Sequence, residues 1–493
     1  MLILLLSLAC TPDEASPTPD TWAFWEEGPE LRGSGGPTRT FSEDELWQPC
    51  AWLEGGPGDF QHHNLVVPYR GHLVMPWSPE FGTGGISLFD MEDPCAPVKA
   101  GEGSAPELRE SHALGFFHLQ DDGTLPDPAI AGDWMVSTGV LGIMTWDLSD
   151  PAAPTPGAYL VIPGVFYPDS YTYVVLSVSV QYPWLFVGAA DNGVFVVDIS
   201  DPRDPVLVSQ YLLEPALRVG GVFAMGTLML VTSAEQSEAA MLDISQPDAP
   251  APIPGGRFAT ADEEGVPKET YHGNHAGDLA FFARKEGGGG YIAVDISDPT
   301  APTPAGGTTT DGNGGYVFYD EEVLFEGESS IARFYDVSDL GAPVLLGEAS
   351  LEGDLDTNTP WGNVAVLSVD EDAVDGQATS VVPWTTQPDS RPIEIRRVVP
   401  ADGEQGVHTQ ARIGVVLSEF VEPASVWPGS LRLLDEAGAP VPGWTSAQEN
   451  TATYAPAEEL QPGTTYTVEV EGLTDINGNA LSEPLRTTFT TAG

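Results

Sequence analysis

Basic residues are scarce in this chain of 493 residues, which has 18 Lys and Arg against 73 Asp and Glu and a formal net charge of −55. A protein that binds a polyanion needs Lys and Arg opposite the phosphates, so the composition predicts no nucleic-acid partner. Anionic membrane surfaces are disfavoured for the same reason, and cations are the natural counterpart. Adaptation to a salty medium and simple selection for solubility are both compatible with this charge.

Helical periodicity and long apolar runs are also missing beyond the first ten residues. Gly (55) and Pro (45) together exceed a fifth of the chain, and this composition favours many short strands joined by turns. A chain of 493 residues is long enough for two or three domains.

Motifs of known catalytic chemistry are absent as well. There is no Gly-x-Ser-x-Gly, and Gly287–Gly290 lacks the Lys-Ser/Thr of a phosphate-binding loop. Asp320, Glu321 and Glu322 are adjacent, so in a strand they alternate between faces and do not form a glycosidase pair. The sequence therefore predicts a protein that is not an enzyme and has no catalytic residue, metal or cofactor.

The chain begins with a short apolar segment. Leu2–Leu8 is too short to span a bilayer, which takes about 20 residues, and is typical of a secretion signal. Ala9 before Cys10 resembles the processing site of bacterial lipoproteins, which implies a signal peptide over residues 1–10 and a lipid on Cys10. Thr11 after the cysteine then implies an outer-membrane lipoprotein or a cell-surface location in a bacterium. The alternative is a segment that is not cleaved.

Residues 11–48 are rich in Pro, Gly, Ser, Thr and acidic residues and are predicted to be a tether. Tryptophans in this segment indicate that part of it packs on the folded body. If Cys10 carries a lipid, Cys50 and Cys95 remain, and in an oxidising compartment they are predicted to form a disulfide. Closing such a loop stabilises a fold by roughly 4 kcal/mol in the chain-entropy model. Two buried free thiols are the alternative.

A short template recurs six times along the chain. In "VDISDPRDP" it has the form Asp-x-Ser-Asp-Pro-x-x-Pro, from Asp198 to Pro205. The six copies begin at Asp90, Asp147, Asp198, Asp243, Asp295 and Asp336. One copy alone is compatible with a cation site, but repetition favours a turn in which Asp and Ser side chains bind backbone N–H groups. Self-similarity at this spacing is typical of propellers and repeat arrays.

Each repeat has the pattern of four short strands separated by turn residues, as in a propeller blade. A further segment, Thr359–Pro392, keeps the strand pattern without the template and is interpreted as a degenerate seventh unit. The sequence thus predicts an all-β, seven-bladed β-propeller over residues 49–392, with six and eight blades as alternatives. The N-terminal segment before Cys50 is predicted to supply the missing outer strand of the last blade, because closure removes exposed edges.

Two segments resemble known families. The units, for example "LFVGAADNGVFVVDISDPRDPVLVSQY", resemble the LVIVD repeat of secreted bacterial proteins, which implies a propeller-like fold but no particular chemistry. Residues 393–493, with "IGVVLSEFVEPAS", "YAPAEELQPGTTYTVEV" and "LTDINGNAL", resemble the bacterial Ig-like domain of the SbsA type, which implies a β-sandwich. In the last motif, Asn-Gly favours a turn over a calcium loop, because the closing Glu of such a loop is missing.

Three histidines are the candidate ligand residues. His63, His112 and His275 lie in "QHHNLVV", "ESHALGF" and "YHGNHAG", each near the predicted first strand of a unit. First strands line a propeller's central channel, so the three imidazoles are predicted to lie near one mouth, where they can bind a transition metal. The alternative, that each bonds to a neighbouring unit's backbone, is favoured because no tight His-x-His spacing is present.

These patterns predict an exported, lipid-anchored envelope protein that binds or scaffolds without catalysis. Its expected partner is a protein or polysaccharide of the cell envelope, with cations as further candidate ligands and membrane contact through the lipid alone. The alternative hypothesis is a metal-dependent binder or an enzyme with its site at the channel mouth.

Overall fold

The computed structural model describes residues 36–56, 65–77, 83–120, 125, 127–166, 170–285, 288–369 and 372–493. The predicted signal peptide, with Cys10, and most of the predicted tether lie outside these residues. Strands dominate the described part, with one four-residue helix, α1 (Ser170–Tyr173). None of the described helices is long and apolar enough to cross a membrane.

The N-terminal part consists of antiparallel strands. Their bounds are β1 (Ala51–Leu53), β2 (Val67–Tyr69), β3 (His72–Pro76), β4 (Gly84–Asp90), β5 (Val98–Ala105), β6 (Leu114–Leu119), β7 (Gly132–Gly139), β8 (Gly142–Asp147), β9 (Thr155–Val161), β10 (Ser177–Gln181), β11 (Trp184–Gly188), β12 (Val194–Asp198), β13 (Val206–Tyr211), β14 (Val219–Met225), β15 (Leu228–Ser233), β16 (Glu238–Asp243), β17 (Ala251–Ala259), β18 (Thr270–Ala276), β19 (Leu279–Arg284), β20 (Tyr291–Asp295), β21 (Thr303–Gly307), β22 (Gly314–Asp320), β23 (Val323–Glu328), β24 (Ile331–Asp336), β25 (Val344–Ser350), β26 (Leu355–Trp361), β27 (Val364–Val369) and β28 (Thr379–Pro383).

These strands form seven four-stranded units in the described residues. Units 1 to 6 are consecutive meanders: β2–β5, β6–β9, β10–β13, β14–β17, β18–β21 and β22–β25. Unit 7 contains β26–β28 and takes β1 as its fourth strand. The predicted all-β propeller is thereby confirmed.

Burial differs between the inner and outer strands of a unit. All five residues of β10 are buried, whereas the outer strand β13 alternates between exposed and half-buried residues. Inner strands are covered on both faces by the neighbouring units, and their residues are therefore buried almost throughout. The first strand of each unit accordingly lies innermost, beside the central channel.

The ring is closed by the N-terminal strand. β1 pairs with β28, with Ala51 opposite Val381 and Leu53 opposite Thr379. The closing strand thus follows Cys50 directly instead of preceding it. Cys50 and Cys95 form the predicted disulfide, with their Cα atoms 5.0 Å apart, so the disulfide prediction is confirmed. It links the closing strand to the β4–β5 turn of unit 1.

The template forms a turn between the third and fourth strands of each unit that carries it. In the third unit, Asp198 Oδ1 accepts from the backbone N–H of Ser200 at 2.8 Å, and Asp201 Oδ1 accepts from that of Arg203 at 2.9 Å. The first Asp makes the equivalent bond to the second following residue in all six copies. The predicted structural role of the template is therefore correct for its first Asp. In the third unit the other side chain that accepts from a backbone N–H group of the turn is Asp201, the second Asp, and not Ser200.

The C-terminal part is a sandwich of two sheets. Its strands are β29 (Ile395–Val399), β30 (Glu404–Val407), β31 (Ile413–Leu417), β32 (Leu431–Leu434), β33 (Gly443–Gln448), β34 (Thr451–Pro456), β35 (Thr465–Val470) and β36 (Leu485–Thr491). One sheet has the order β29-β31-β34-β33 and the other β30-β36-β35-β32. Apolar side chains between the sheets form a separate core. The predicted Ig-like sandwich is confirmed, and we call it the Ig module.

Candidate functional site

The Ig module lies against one end of the propeller channel. Strand β33 pairs antiparallel with β6, with Ser446 opposite Phe117 and Ala447 opposite Phe116, and so extends the sheet of unit 2 to eight strands. The inner strand of a propeller unit has a free edge toward the channel, and the Ig module satisfies part of that edge by strand addition.

The β33–β34 hairpin tip reaches further into this end of the channel. The Gln448 side chain donates to the carbonyl of Val178 at 2.9 Å and accepts from the N–H of Val180 at 3.2 Å. The Gln448 side-chain amide thus makes the two hydrogen bonds that a neighbouring strand would otherwise make with β10. Asn450, also at the tip, donates to the carbonyl of His275 in unit 5 at 2.5 Å.

The other units also contact the Ig module at this end. The contact pairs are Glu422 with Arg70 in unit 1, Arg412 with Ile244 in unit 4, Ser418 with Glu321 in unit 6, and Asn477 with Gly362 in unit 7. All seven units therefore touch the Ig module, which occupies this end of the channel.

His275, one of the predicted ligand residues, is part of this contact. Its Nε2 lies 3.2 Å from Thr451 Oγ1, and its ring meets the edge of Phe223. Burial and the nearby Arg397 lower the pKa of His275 to about 3, so the imidazole is neutral. His275 lies near the end of β18 and not at its beginning, because the strand already starts at Thr270.

His112 lies in a different group of side chains, at the end of the channel away from the Ig module. Its Nε2 is 3.0 Å from Glu110 Oε1, and its Nδ1 is 3.1 Å from the hydroxyl of Tyr316. The ring of Tyr316 stacks on that of His272 with centroids 3.9 Å apart. We call these four residues the channel cluster.

The channel cluster crosses the propeller axis. His112 immediately precedes unit 2 and Tyr316 belongs to unit 6, and these units are not neighbours in the ring. All members are at most 5% exposed. Burial, His112 and Lys285 hold the pKa of His272 well below its usual range, so this imidazole is neutral. Its Nε2 has no hydrogen-bond partner among the described residues.

The predicted trio is thus distributed as follows. His112 and His275 have separate partners, and His63 lies outside the described residues. Sequence reasoning missed His272 and Tyr316, which lie on β18 and β22. Only "YHGNH", with two histidines at opposite strand parity, hinted that a second imidazole points elsewhere in the channel.

A second group of titratable residues lies at the contact between unit 6 and the Ig module. It contains five carboxyl groups, which we call the seam carboxyls: Asp320, Glu321, Asp389, Glu419 and Asp475. Single oxygens of Glu321, Asp389 and Glu419 lie within 4.8 Å of one another, a spacing that can hold a metal ion. Oxygen ligands of this kind suit hard cations such as Ca²⁺.

Burial and mutual repulsion set the protonation of the seam carboxyls. The pKa of Glu321 is raised to about 7, that of Asp475 to about 6 and that of Glu419 to about 12, in each case chiefly by burial and then by neighbouring carboxylates. Arg391, which forms an ion pair with Glu321, opposes this shift. With pKa values of about 7 and about 6, Glu321 and Asp475 therefore exchange protons close to neutral pH, while Glu419 keeps its proton there.

Segments of the chain match models of known domain families. Residues 174–212 and 277–310 match the LVIVD repeat, and residues 389–491 match the bacterial Ig-like domain. Both resemblances stated from the sequence are confirmed, and neither domain family is catalytic. No curated protein matches the chain.

Solved structures with a similar fold share little sequence with this chain. A hypothetical selenium-binding protein from Sulfolobus tokodaii is 10% identical, over 89% of this chain and 100% of its own, with a TM-score of 0.46. The WD40 domain of Toxoplasma gondii coronin is 12% identical, over 72% and 90%, with a TM-score of 0.47. A periplasmic gluconolactonase of Pseudomonas aeruginosa is 9% identical, over 64% and 95%, with a TM-score of 0.47. The likeness is one of fold alone.

Proposed function

We propose that this protein is an exported, lipid-anchored binding or scaffold protein of a bacterial cell envelope, and that it acts without catalysis. The observation that carries the proposal is the docking of the Ig module across one channel end through all seven units. Such an interface holds propeller and sandwich as one body, which suits display of a recognition surface at a fixed geometry.

The composition supports the choice of partner. With a net charge of −55 the protein repels polyanions. A neutral or cationic polysaccharide or a protein of the envelope fits this charge. The anchor rests on Cys10 and on the apolar segment before it.

The test combines fractionation with a pull-down. Wild-type protein should enter the membrane fraction and incorporate labelled palmitate, whereas a Cys10→Ser variant should remain soluble and unlabelled. Purified Cys10→Ser protein on beads should retain a polysaccharide or protein from envelope extract, and metal analysis of the same preparation reports any bound cation. Membrane association that does not depend on Cys10 would refute the anchor, and an extract that leaves nothing on the beads would refute the binding role.

A second candidate function, an enzyme with its site in the channel, is favoured by the Glu110–His112–Tyr316 hydrogen-bond chain. A carboxylate that orients an imidazole beside a hydroxyl is the arrangement of an activated oxygen nucleophile. Hydrolysis of chromogenic esters, phosphates or glycosides that disappears in Tyr316→Phe would support this candidate. Equal turnover by the variant would exclude Tyr316.

A further inference from the structure

A groove lies where the Ig module meets units 3 and 4. It has a volume of about 220 Å³ and is lined by two tryptophans, Trp184 at the start of β11 and Trp444 in β33. Pro183 and Pro247 provide further apolar surface. Concave sites between domains, with aromatic walls and a few polar groups, are the usual location of small-ligand binding.

The two tryptophans that line the groove have defined neighbours in the fold. Trp444 meets the ring of Tyr182 edge-on, with centroids 5.6 Å apart, and Trp184 pairs in register with Asp198. The buried indole N–H of Trp444 has no hydrogen-bond partner among the described residues. A buried donor without a partner is unfavourable, so a ligand acceptor that reached it would be stabilised.

One wall of the groove is polar and acidic. Gln410 Nε2 donates to Glu459 Oε1 at 2.9 Å, and Thr409 Oγ1 donates to Glu459 Oε2 at 3.3 Å. These bonds fix the Glu459 carboxylate at the rim, next to the exposed Glu458. A ligand therefore meets hydrogen-bond acceptors and negative charge on this side.

Among the described residues that line this groove, the only cationic one is Arg412, and its guanidinium already has protein partners. Arg412 is 2% exposed, and its Nε donates to Gln181 Oε1 at 2.6 Å while its Nη1 donates to the Gln410 carbonyl at 3.2 Å. Its remaining terminal nitrogen donates to the Ile244 carbonyl. Because the Arg412 guanidinium already donates to three protein acceptors, it is not available to balance the charge of an anionic ligand in the groove.

We propose that this groove binds a neutral sugar ring of an envelope polysaccharide, an inference that rests on the proposed binding function and locates its site. The apolar face of a pyranose packs on indole rings, as apolar rings with polar edges do at interfaces. Its hydroxyl groups donate to the Glu459 carboxylate at the rim. The acidic rim rejects uronic acids and phosphorylated sugars by repulsion.

The test uses full-length Cys10→Ser protein labelled with 5-fluorotryptophan. It is titrated with cellotetraose, maltotetraose and chitotetraose, and with tetragalacturonate as the anionic probe. The fluorine resonances of Trp184 and Trp444, assigned by their loss in Trp184→Phe and Trp444→Phe, should shift saturably with at least one neutral probe and not with tetragalacturonate. The resonance of Trp52, an exposed tryptophan on β1, serves as the internal control and should not move.

Variants extend the test to affinity. Trp184→Ala and Glu459→Gln should each weaken binding about tenfold, the equivalent of one lost stacking face or charge-assisted hydrogen bond, while Trp52→Ala leaves it unchanged. Thermal unfolding confirms that each variant is folded. If Trp184→Ala does not fold, Trp184→Phe takes its place. Unmoved Trp184 and Trp444 resonances with all neutral probes would overturn the proposal. If Trp184→Ala protein retains as much envelope polysaccharide on beads as the parent protein over the same range of polysaccharide concentrations, the groove is wrong but the binding function stands.

Discussion

The two ends of the propeller channel are closed in different ways. At one end the closure comes from the Ig module, whose hairpin supplies Gln448 and Asn450 as partners for backbone groups of the inner strands. At the other end the channel cluster closes the axis with the propeller's own His112, His272 and Tyr316.

The charge of the two ends differs as well. Five carboxyls meet beside one guanidinium at the Ig end, whereas the channel cluster places a single carboxyl, Glu110, against an imidazole. Like charges in a buried site repel unless they share protons. We infer that the union of the two modules depends on pH.

The largest effect should come from removing an apolar contact at the Ig end. Phe420 is 3% exposed and meets the edge of Phe318 of unit 6. Phe420→Ala leaves a cavity and should lower the free energy of unfolding by about 3–5 kcal/mol, measured by urea denaturation. The matched control, Phe166→Ala, removes a half-exposed ring that stacks on Tyr173, and should lower the free energy of unfolding by about 1 kcal/mol. Equal losses in both variants would show that the Phe318–Phe420 contact stabilises the molecule no more than a half-exposed ring does.

The second effect is the pH dependence of the seam. The pKa of Glu321 is raised from 4.5 to about 7 and that of Asp475 from 3.8 to about 6, so the folded state binds more protons than the unfolded state between these limits. Stability should therefore fall as the pH rises from about 4 to about 7. Thermal unfolding in EDTA, which keeps cations out, measures this dependence.

A double variant isolates the seam carboxyls from the rest of the acidic surface. Glu321→Gln with Glu419→Gln should reduce the pH dependence, because two neutral amides no longer bind protons, while the remainder comes from Glu422 and Glu449, whose pKa values are also raised to about 7 by burial. Glu483→Gln, at an exposed position of the Ig module, should leave it intact. A profile in which all three proteins lose stability in parallel would assign the effect to overall charge and not to the seam.

A smaller effect is expected at the opposite end. Tyr316→Phe removes the hydroxyl that lies 3.1 Å from both His112 Nδ1 and the His112 carbonyl, and should cost about 1–2 kcal/mol. Tyr211→Phe, on the outer strand β13, should stay within about 0.5 kcal/mol of wild type. A neutral Tyr316→Phe would mean that the channel cluster does not help to close the propeller.

The smallest effect concerns a turn that belongs to neither end. Asp198→Ala removes the bond from the Ser200 N–H to Asp198 Oδ1 and should cost about 0.5–1 kcal/mol. Asp198→Asn keeps an acceptor at the same place and should unfold close to wild type. An alanine variant as stable as the asparagine variant would show that the repeated Asp is not needed for the turn.

Much of the fold could be predicted because its signals are local. The Asp of each template bonds to a backbone N–H two residues away, as in Asp198, so the turn needs nothing from the rest of the chain. "NVAVLSVD" and "ATSVVPW" likewise contain β27 and β28. The position of the closing strand could not be predicted from local signals, because Ala51–Leu53 pairs with residues more than three hundred positions away.

The side-chain groups could not be predicted, because each is assembled from distant segments. His112 was placed in the channel, but its partner Tyr316 comes from across the ring. Adjacent acids were expected to alternate between faces, yet Glu321 has a φ of +46° at a turn, where strand parity no longer applies. Glu419 and Asp475 reach it only through the docking of the Ig module.

The disulfide at the closing strand also determines how the molecule carries mechanical load. Once the contacts of residues 36–49 have been pulled away, among them the bond from the Trp47 N–H to the Pro383 carbonyl, a pull on the chain before Cys50 would load β1, a strand of three residues paired with β28. Cys95 diverts this force into the β4–β5 turn of unit 1. A pull from this direction is thereby distributed over two adjacent units, and reduction of the disulfide would return the full load to β1.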